Sequence, residues 1–102
     1  MDFYIYILYS DSSDRYYVGS SDDPWQRLDS HNKSGRNTYT SKHRPWKLVA
    51  VFLAGQNRAD AVNIENWIKR QKSRKLLEKA ADPKVELNGI LAQLVRVPYL
   101  RD

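Results

Sequence analysis

Three stretches of the chain have the hydrophobic pattern of β-strands. Residues 3–9 are β-branched and aromatic, and a polar turn separates them from a second such run at residues 15–19. A nearly continuous apolar run at residues 47–53 is typical of a strand that is covered on both sides. The pattern therefore predicts an N-terminal β-hairpin and one further buried strand.

Alternation along the hairpin predicts which side chains lie together. Successive side chains of a strand point to opposite faces of the sheet, so Ile5 and Ile7 lie on one face and Tyr6 lies on the other. In the second strand Val18 and Tyr17 face opposite ways. If the aliphatic faces of the two strands coincide, Tyr6 and Tyr17 share the opposite face.

Helical signals begin directly after the hairpin. The polar residues 21–23 offer an N-cap, and Pro24 stands at a position where its missing N–H is not needed. We therefore expect a helix over residues 24–33. Arg27 and His31 are four positions apart on this helix and share one of its faces.

Three further helical segments are predicted later in the chain. Asn57 is an N-cap candidate for a helix that carries Glu65 near its middle. Its apolar side chains recur at helical spacing and are Ala61, Ile64, Trp67 and Ile68. Ser73 starts a short helix, and Asp82 followed by proline is another start signal, which leads into residues 85–94.

The composition is that of a folded protein without disulfides. With 102 residues, of which 41% are hydrophobic and 12% aromatic, the chain has material for one core, and we expect one domain over residues 1–102. The lack of cysteine excludes disulfides, thiolate zinc sites and cysteine nucleophiles. No apolar run approaches the roughly 20 residues of a membrane-spanning helix, and the N-terminus lacks the basic start of a signal peptide. A cytoplasmic protein without membrane contact is predicted.

Positive charge is concentrated in two segments. The formal net charge is +5 and the isoelectric point is near 9.6, yet residues 1–32 hold only 2 basic residues and 6 acidic ones. The first basic segment, a predicted loop over residues 33–46 and the residue after it, holds Lys33, Arg36, Lys42, Arg44 and Lys47. The second holds Lys69, Arg70, Lys72, Arg74 and Lys75. Two such segments indicate a phosphate-binding surface, with two solvated faces as the alternative.

In combination, the short motifs of the chain resemble the GIY-YIG nuclease superfamily. Residues 4–6 are Tyr-Ile-Tyr, and residues 17–19 are Tyr-Val-Gly. A helix with Arg27 and His31 follows, and the later helix around Glu65 is similar to the family's second helix. Each motif is weak alone, but their order and spacing agree with their placement on predicted strands and helices.

The resemblance covers residues 3–78 and implies an α+β fold, with a small three-stranded antiparallel sheet flanked by helices. Residues 82–102 would form a C-terminal extension. The chain looks closest to small single-domain members related to the nuclease domain of the excision-repair incision subunit. Tyr4 stands at a position where the family name has Gly, and this difference removes no chemistry.

The resemblance also implies a role for each motif residue. Glu65 would bind one Mg²⁺ or Mn²⁺ ion, whose other ligands would be water and phosphate oxygens. Tyr6 or Tyr17 would take or relay the proton of the attacking water, with Arg27 as the nearby cation that a phenol needs at neutral pH. Arg27 would also bind the scissile phosphate through its guanidinium fork, and His31 would assist proton transfer or orient a tyrosine.

Each of these residues also has an ordinary structural role. A strand tyrosine packs in a sheet, an isolated helix arginine is solvated, and His31 would interact favourably with the helix dipole. Glu65 would pair with Lys69 at i,i+4. His43 in the basic loop is an exposed residue or a phosphate contact, and Asn88 matches a residue that supports the active site in some family members.

Three functions stay open at this level. The first is a metal-dependent endonuclease or nickase that hydrolyses DNA, with RNA left open, in repair or recombination; its targets would be structures or ends rather than sequences. The second is a non-cleaving nucleic-acid-binding module that uses the same phosphate-gripping pocket. The third is an assembly protein that dimerises through the face of Trp67. A recruiting protein and a homodimer are both compatible with the sequence.

Overall fold

Four antiparallel strands form the sheet of the computed structural model, which describes residues 1–33, 35 and 39–99. The strands are β1 (Phe3–Ser10), β2 (Arg15–Ser21), β3 (Trp46–Gly55) and β4 (Val95–Val97), in the spatial order β2-β1-β3-β4. The predicted α+β class is confirmed. The three strands expected from the sequence are β2, β1 and β3, and the short β4 adds a fourth strand beside β3.

The register of the hairpin sorts its side chains between the two faces of the sheet. Ile7 pairs with Val18, and Leu8 pairs with Tyr17. Ile7 and Val18 belong to one buried cluster, whereas Tyr6 and Tyr17 belong to the other. The prediction that the two tyrosines share a face is confirmed.

Within the described residues, three α-helices flank the sheet. They are α1 (Pro24–Lys33), α2 (Arg58–Gln71) and α3 (Arg74–Ala81). Three of the predicted caps are formed: the side chains of Asp23, Asn57 and Ser73 accept the N–H groups of Gln26, Ala59 and Leu76. No helix in these ranges is long and apolar enough to cross a membrane.

Each face of the sheet has its own core. The face covered by α2 and α3, called here the apolar face, includes Ile5, Ile7, Val18, Phe52, Ala61, Ile64, Ile68 and Ala80. The opposite face, called here the tyrosine face, includes Tyr6, Leu8, Trp46, Leu48 and Val51, with Tyr17 and the α1 residues Trp25 and Leu28 packed against them. Burial on both faces makes β1 an interior strand that lacks a solvated side.

The prediction of a helix that starts at Asp82 and continues through residues 85–94 is wrong. The Asp82 carboxylate accepts the N–H of Lys84 at 2.9 Å, which closes a turn instead of a helix. Gly89 then adopts a left-handed φ of 62°, which interrupts a right-handed helix, and only a short 3-10 helix, Gly89–Gln93, follows. Tertiary contacts override the local start signal, since Leu91 packs into the apolar face and the chain continues into β4.

Candidate active site

A buried pair of polar rings lies between the sheet and α1. The Tyr6 hydroxyl is 3.1 Å from Nε2 of His31, and these side chains are only 1% and 8% exposed. Alternation along β1 turns Tyr6 toward α1, where the last turn of the helix presents His31. Arg27, one turn earlier and exposed, interacts with the Tyr6 hydroxyl. The structure thus brings together three of the five residues predicted for the reaction.

Gly19 makes room for this pair. It lies opposite Tyr6 in the β1–β2 ladder, and a Cβ placed on it would come within 2.4 Å of the Tyr6 hydroxyl oxygen. Such a contact is far inside the van der Waals distance, so any larger residue would displace the ring. Gly19 lies inside β2, where the lack of a side chain gives clearance to the Tyr6 ring.

Burial dominates the ionisation of the pair. It raises the pKa of Tyr6 from 10.0 to about 12, although the hydrogen bond and charge of Arg27 act in the opposite direction. Burial, together with the charges of Arg27 and Arg44, lowers the pKa of His31 from 6.5 to about 4. Hydrogen bonding to Tyr6 raises the pKa of Arg27. At neutral pH the phenol and the imidazole are therefore uncharged, Arg27 is the cation that acts on the Tyr6 hydroxyl, and Arg44 is a second cation near His31.

The segment after α1 contacts the other side of the imidazole. Oγ1 of Thr40 lies 3.1 Å from Nδ1 of His31, and Nε of Arg44 donates to the His31 carbonyl at 2.6 Å. The indole N–H of Trp46 donates to the Thr40 carbonyl at 2.7 Å. Sequence reasoning missed Thr40, because a single threonine in an aperiodic loop gives no local signal.

Glu65 lies on α2, across the free edge of β2. Its Oε1 accepts the Ser20 hydroxyl at 2.5 Å, and its Oε2 accepts the Lys69 ammonium at 2.6 Å. The Glu65 side chain is 15% exposed, so the carboxylate is sheltered and still accessible. The i,i+4 pairing of Glu65 with Lys69 was anticipated and is confirmed. Sequence reasoning missed the hydrogen bond between Ser20 and Glu65, which are 45 positions apart.

Tyr17 connects the buried pair with the carboxylate. Its ring centroid lies 4.9 Å from that of His31 and 5.4 Å from Nζ of Lys69. Tyr17 is half-buried and lines an open groove of about 820 Å³ beside β2. All five predicted reaction residues are therefore arranged around the β2 edge, although they come from both faces of the sheet.

The Glu65 environment fits a divalent ion that takes one protein ligand. In the described part of the chain, no group of three or more His, Cys, Asp or Glu side chains is placed to hold a metal. A Lys69 ammonium already lies 2.6 Å from Oε2, which shows that the carboxylate favours a positive charge at this position. Mg²⁺ commonly keeps several waters and binds through one or two carboxylates and substrate phosphates. The donor set is compatible with that arrangement.

The predicted nucleic-acid-binding residues have different environments. Lys69, Lys72 and Arg74 line the groove beside Tyr17. Lys42 and Arg70 are exposed, and exposed Lys33 pairs with Asp29 at 3.3 Å. Arg44 is turned inward to the His31 carbonyl. Arg36 lies outside the described residues. The groove therefore combines a basic rim with the Tyr17 ring.

Arg74 has an evident structural role in the groove wall. Its guanidinium donates to the carboxylate and the carbonyl of Asp14 in the β1–β2 turn, and to Glu78 one turn along α3. These contacts tie the hairpin turn to α3. Because these carboxylates already pair with its guanidinium, Arg74 is less available to bind a phosphate than Lys72 is.

His43 contacts the hairpin turn, and Asn88 lies in the C-terminal segment. Nδ1 of His43 is 2.9 Å from Oγ of Ser13, and its ring packs against Tyr39 with centroids 4.8 Å apart. These contacts join the basic loop to the hairpin turn. Asn88 is exposed and directly precedes the 3-10 helix of the C-terminal segment.

Comparison with known families and curated proteins agrees with this geometry. Residues 2–78 match the model of the GIY-YIG catalytic domain family, which confirms the resemblance inferred over residues 3–78. The chain is 37% identical over 78 residues to the structure-specific endonuclease subunit SLX1 of Meyerozyma guilliermondii; the alignment covers 71% of this chain and 26% of that protein. It is 30% identical over 115 residues to SLX1 of Ajellomyces capsulatus, covering 84% and 27%. The chain spans about a quarter of the length of these relatives.

A solved structure is also similar. The solution NMR structure of the UPF0213 protein BH0048 from Bacillus halodurans shares 25% sequence identity with this chain and superposes with a TM-score of 0.47. The alignment covers 81% of this chain and 89% of that one.

Proposed function

The chain belongs to the GIY-YIG catalytic domain family, and on this basis we propose that it is a metal-dependent endonuclease that hydrolyses phosphodiester bonds of DNA. The observation that carries the proposal is the arrangement of Tyr17 between the Tyr6–His31 pair and the Glu65–Lys69 pair. Relatives named as structure-specific endonuclease subunits support a nuclease role. DNA repair or recombination is the setting we propose.

We assign proton transfer to Tyr17 rather than to Tyr6. Tyr6 is 1% exposed and burial raises its pKa to about 12, so it neither reaches a solvent water nor loses its proton near neutral pH. Tyr17 is half-buried and lines the groove, where water and substrate have access. Tyr6 and Tyr17 therefore have separate roles.

Arg27 is the proposed ligand of the scissile phosphate. Its guanidinium is exposed and interacts with the Tyr6 hydroxyl, which restricts its position. A guanidinium fork binds two phosphate oxygens at once, whereas a lysine would act as a point charge. The buried Tyr6–His31 pair thus positions the Arg27 guanidinium and does not need to contact the substrate.

Glu65 is the proposed ligand of one Mg²⁺ or Mn²⁺ ion. When bound, the ion would neutralise charge on the phosphate oxygens and stabilise the leaving oxygen. The Ser20 hydroxyl holds one carboxylate oxygen, which fixes the direction of the other. If a metal ion displaced the Lys69 ammonium from Oε2, Lys69 would become available to bind a phosphate oxygen.

The groove beside Tyr17 is the proposed path of the nucleic acid. Lys69 and Lys72 line it, and exposed Lys42 and Arg70 extend the positive charge. Phosphate contacts of this kind give affinity without reading sequence, so a structural feature of DNA is the proposed target and RNA is a second candidate. Because the curated relatives are named subunits, we also propose that a protein partner recruits the domain.

Nicking of supercoiled plasmid in Mg²⁺ or Mn²⁺ tests the proposal, with binding to the same DNA measured in parallel. The variants are Glu65→Gln, which keeps the side-chain shape, and Glu86→Gln, an exposed carboxylate of the C-terminal segment that serves as the matched control. We expect nicking that EDTA and Glu65→Gln abolish and that Glu86→Gln preserves. Binding should survive in both variants.

The opposite result would favour a different function. Binding that weakens steeply with salt, without metal-dependent nicking of plasmid or of branched DNA, would identify a nucleic-acid-binding module that grips phosphate without cutting. Nicking that persists in Glu65→Gln would remove the carboxylate from the mechanism.

A further inference from the structure

Both nitrogens of the His31 ring have partners, and the partners come from different parts of the chain. Nε2 lies 3.1 Å from the Tyr6 hydroxyl on β1, and Nδ1 lies 3.1 Å from Oγ1 of Thr40 in the segment before β3. Thr40 is 7% exposed and His31 is 8% exposed, so solvent does not replace either contact. The ring is held on both sides.

The direction of the hydrogen bonds from Tyr6 through His31 to Thr40 follows from the position of Arg27 beside the Tyr6 hydroxyl. The positive charge of Arg27 acts on the Tyr6 hydroxyl, so the lone pairs of the Tyr6 oxygen face the guanidinium and the Tyr6 proton is directed elsewhere. Nε2 of His31 is the acceptor that the described residues place within hydrogen-bond distance of that proton. An uncharged imidazole with an unprotonated Nε2 carries its hydrogen on Nδ1. That hydrogen points at the Thr40 oxygen.

We propose that Thr40 is a positioning residue that holds His31 in the tautomer protonated on Nδ1, so that Nε2 accepts the Tyr6 proton and the Tyr6 lone pairs face Arg27. This inference rests on the proposed nuclease function, because Arg27 is there the phosphate ligand. Thr40 acts through His31 and Tyr6 and does not touch the substrate.

The position of Thr40 is itself fixed by the fold. Its carbonyl accepts the indole N–H of Trp46 at 2.7 Å, and Trp46 is 3% exposed at the start of β3. The N–H and carbonyl of Trp46 pair with the Asn32 side chain at 2.7 and 2.9 Å, next to His31 on α1. The contacts connect the end of α1 to the start of β3 and bring the Thr40 hydroxyl to the imidazole.

The test compares Thr40→Val, which keeps the shape but removes the acceptor, with Thr40→Ser, which keeps the hydroxyl. The tautomer is read from the imidazole ¹⁵N chemical shifts at pH 7. The chain has only 2 histidines, so a His43→Gln spectrum assigns the signals. Nicking rates and DNA binding are measured on the same samples.

We expect wild type and Thr40→Ser to show Nδ1–H with Nε2 unprotonated. Thr40→Val should shift the ring toward the Nε2–H tautomer and lower the nicking rate about tenfold or more, with DNA binding retained. Protonation of Nε2 in the wild type would overturn the proposal, and that spectrum does not depend on the folding of any variant. An unchanged tautomer in Thr40→Val would overturn it equally. If the wild type fails to cut DNA, the nuclease proposal fails while the ¹⁵N shifts still decide the role of Thr40.

Discussion

Both faces of the sheet are covered by other parts of the chain, but they are built from different chemistry. On the apolar face, Ile5, Ile7 and Val18 meet the apolar side chains of α2 and α3. On the tyrosine face, Tyr6 brings a hydroxyl into the core and α1 brings an imidazole to meet it. Hydrophobic burial contributes stability without selecting a unique arrangement of polar atoms, whereas buried polar groups must be matched atom by atom.

This difference shows how one face of a small sheet can supply stability while the other face holds the polar groups of a reaction site. Among the described residues, no buried side-chain nitrogen or oxygen lacks a hydrogen-bond partner. The polar cluster of the tyrosine face is therefore fully satisfied, and such clusters are rigid but sensitive to the loss of one member. Tyr17 of the tyrosine face and Glu65 of α2 both lie beside edge strand β2, so each face of the sheet supplies part of the site.

The largest expected effect separates the role of Tyr17 from that of Tyr6. Tyr17→Phe should lower the nicking rate by roughly 10²- to 10⁴-fold, as expected for loss of a positioned proton-transfer group, with DNA binding unchanged. Tyr6→Phe should cost less, because Tyr6 acts through Arg27. Single-turnover nicking compares the two variants directly, and an equal or larger loss in Tyr6→Phe would assign proton transfer to the buried pair.

Ile7→Ala tests whether the apolar face serves stability alone. Ile7 is 1% exposed, and truncation of such a side chain should lower the free energy of unfolding by about 2–5 kcal/mol. Denaturant titration measures the loss, and nicking is then normalised to the folded fraction. Normalised activity should equal that of the wild type; a further decrease would show that the two faces are coupled.

Acid should destabilise the tyrosine face specifically. The pKa of His31 is lowered from 6.5 to about 4 by burial, so the unfolded chain binds the proton more tightly than the folded chain does. The stability from the neutral buried ring is present above pH 6.5 and is lost as the pH falls toward 4, by roughly 3 kcal/mol at most. Denaturant unfolding between pH 7 and 4 should show this slope, and His31→Gln should flatten it. An equal slope in that variant would place the acid sensitivity elsewhere.

Gly19→Ala tests the clearance that the tyrosine face requires. The new methyl group would meet the Tyr6 hydroxyl, and overpacking of this kind costs about 1–3 kcal/mol. Gly35→Ala is the matched control, since no atom of the described residues lies within 4 Å of a Cβ at that position. We expect thermal unfolding to shift only for Gly19→Ala, together with a reduced nicking rate. Equal stability of the two variants would mean that the Tyr6 ring has room to move.

The smallest expected effect concerns the carboxylate that α2 presents at the β2 edge. Lys69 occupies a cation position beside Glu65, so Lys69→Met should tighten Mn²⁺ binding about two- to fivefold in the absence of DNA. Lys33→Met removes an exposed i,i+4 pair with Asp29 and is the control. Titration of free Mn²⁺ by electron paramagnetic resonance measures both. Weaker binding in Lys69→Met would show that the lysine supports the ion site instead of competing with it.

Local patterns determined most of the elements and the identity of the motif residues. The start of α1 follows from Asp23 and Pro24, and the separation of Ile7 from Tyr6 follows from strand alternation. The pairing of Glu65 with Lys69 follows from helical spacing. The same reasoning failed at Asp82, where a good local start signal gave way to a left-handed Gly89 and to packing of the C-terminal segment.

Only the tertiary structure decided how these residues act on one another. Ser20 and Glu65 are 45 positions apart, and their hydrogen bond depends on how α2 docks on the apolar face. The burial of Tyr6 and the access of Tyr17 differ although both are strand tyrosines, because β1 is an interior strand and β2 is an edge strand. The contact of Thr40 with His31 likewise depends on the path of a loop without periodicity. Periodicity in a sequence specifies directions relative to the local backbone, whereas distances between elements are set by the packing of the whole core.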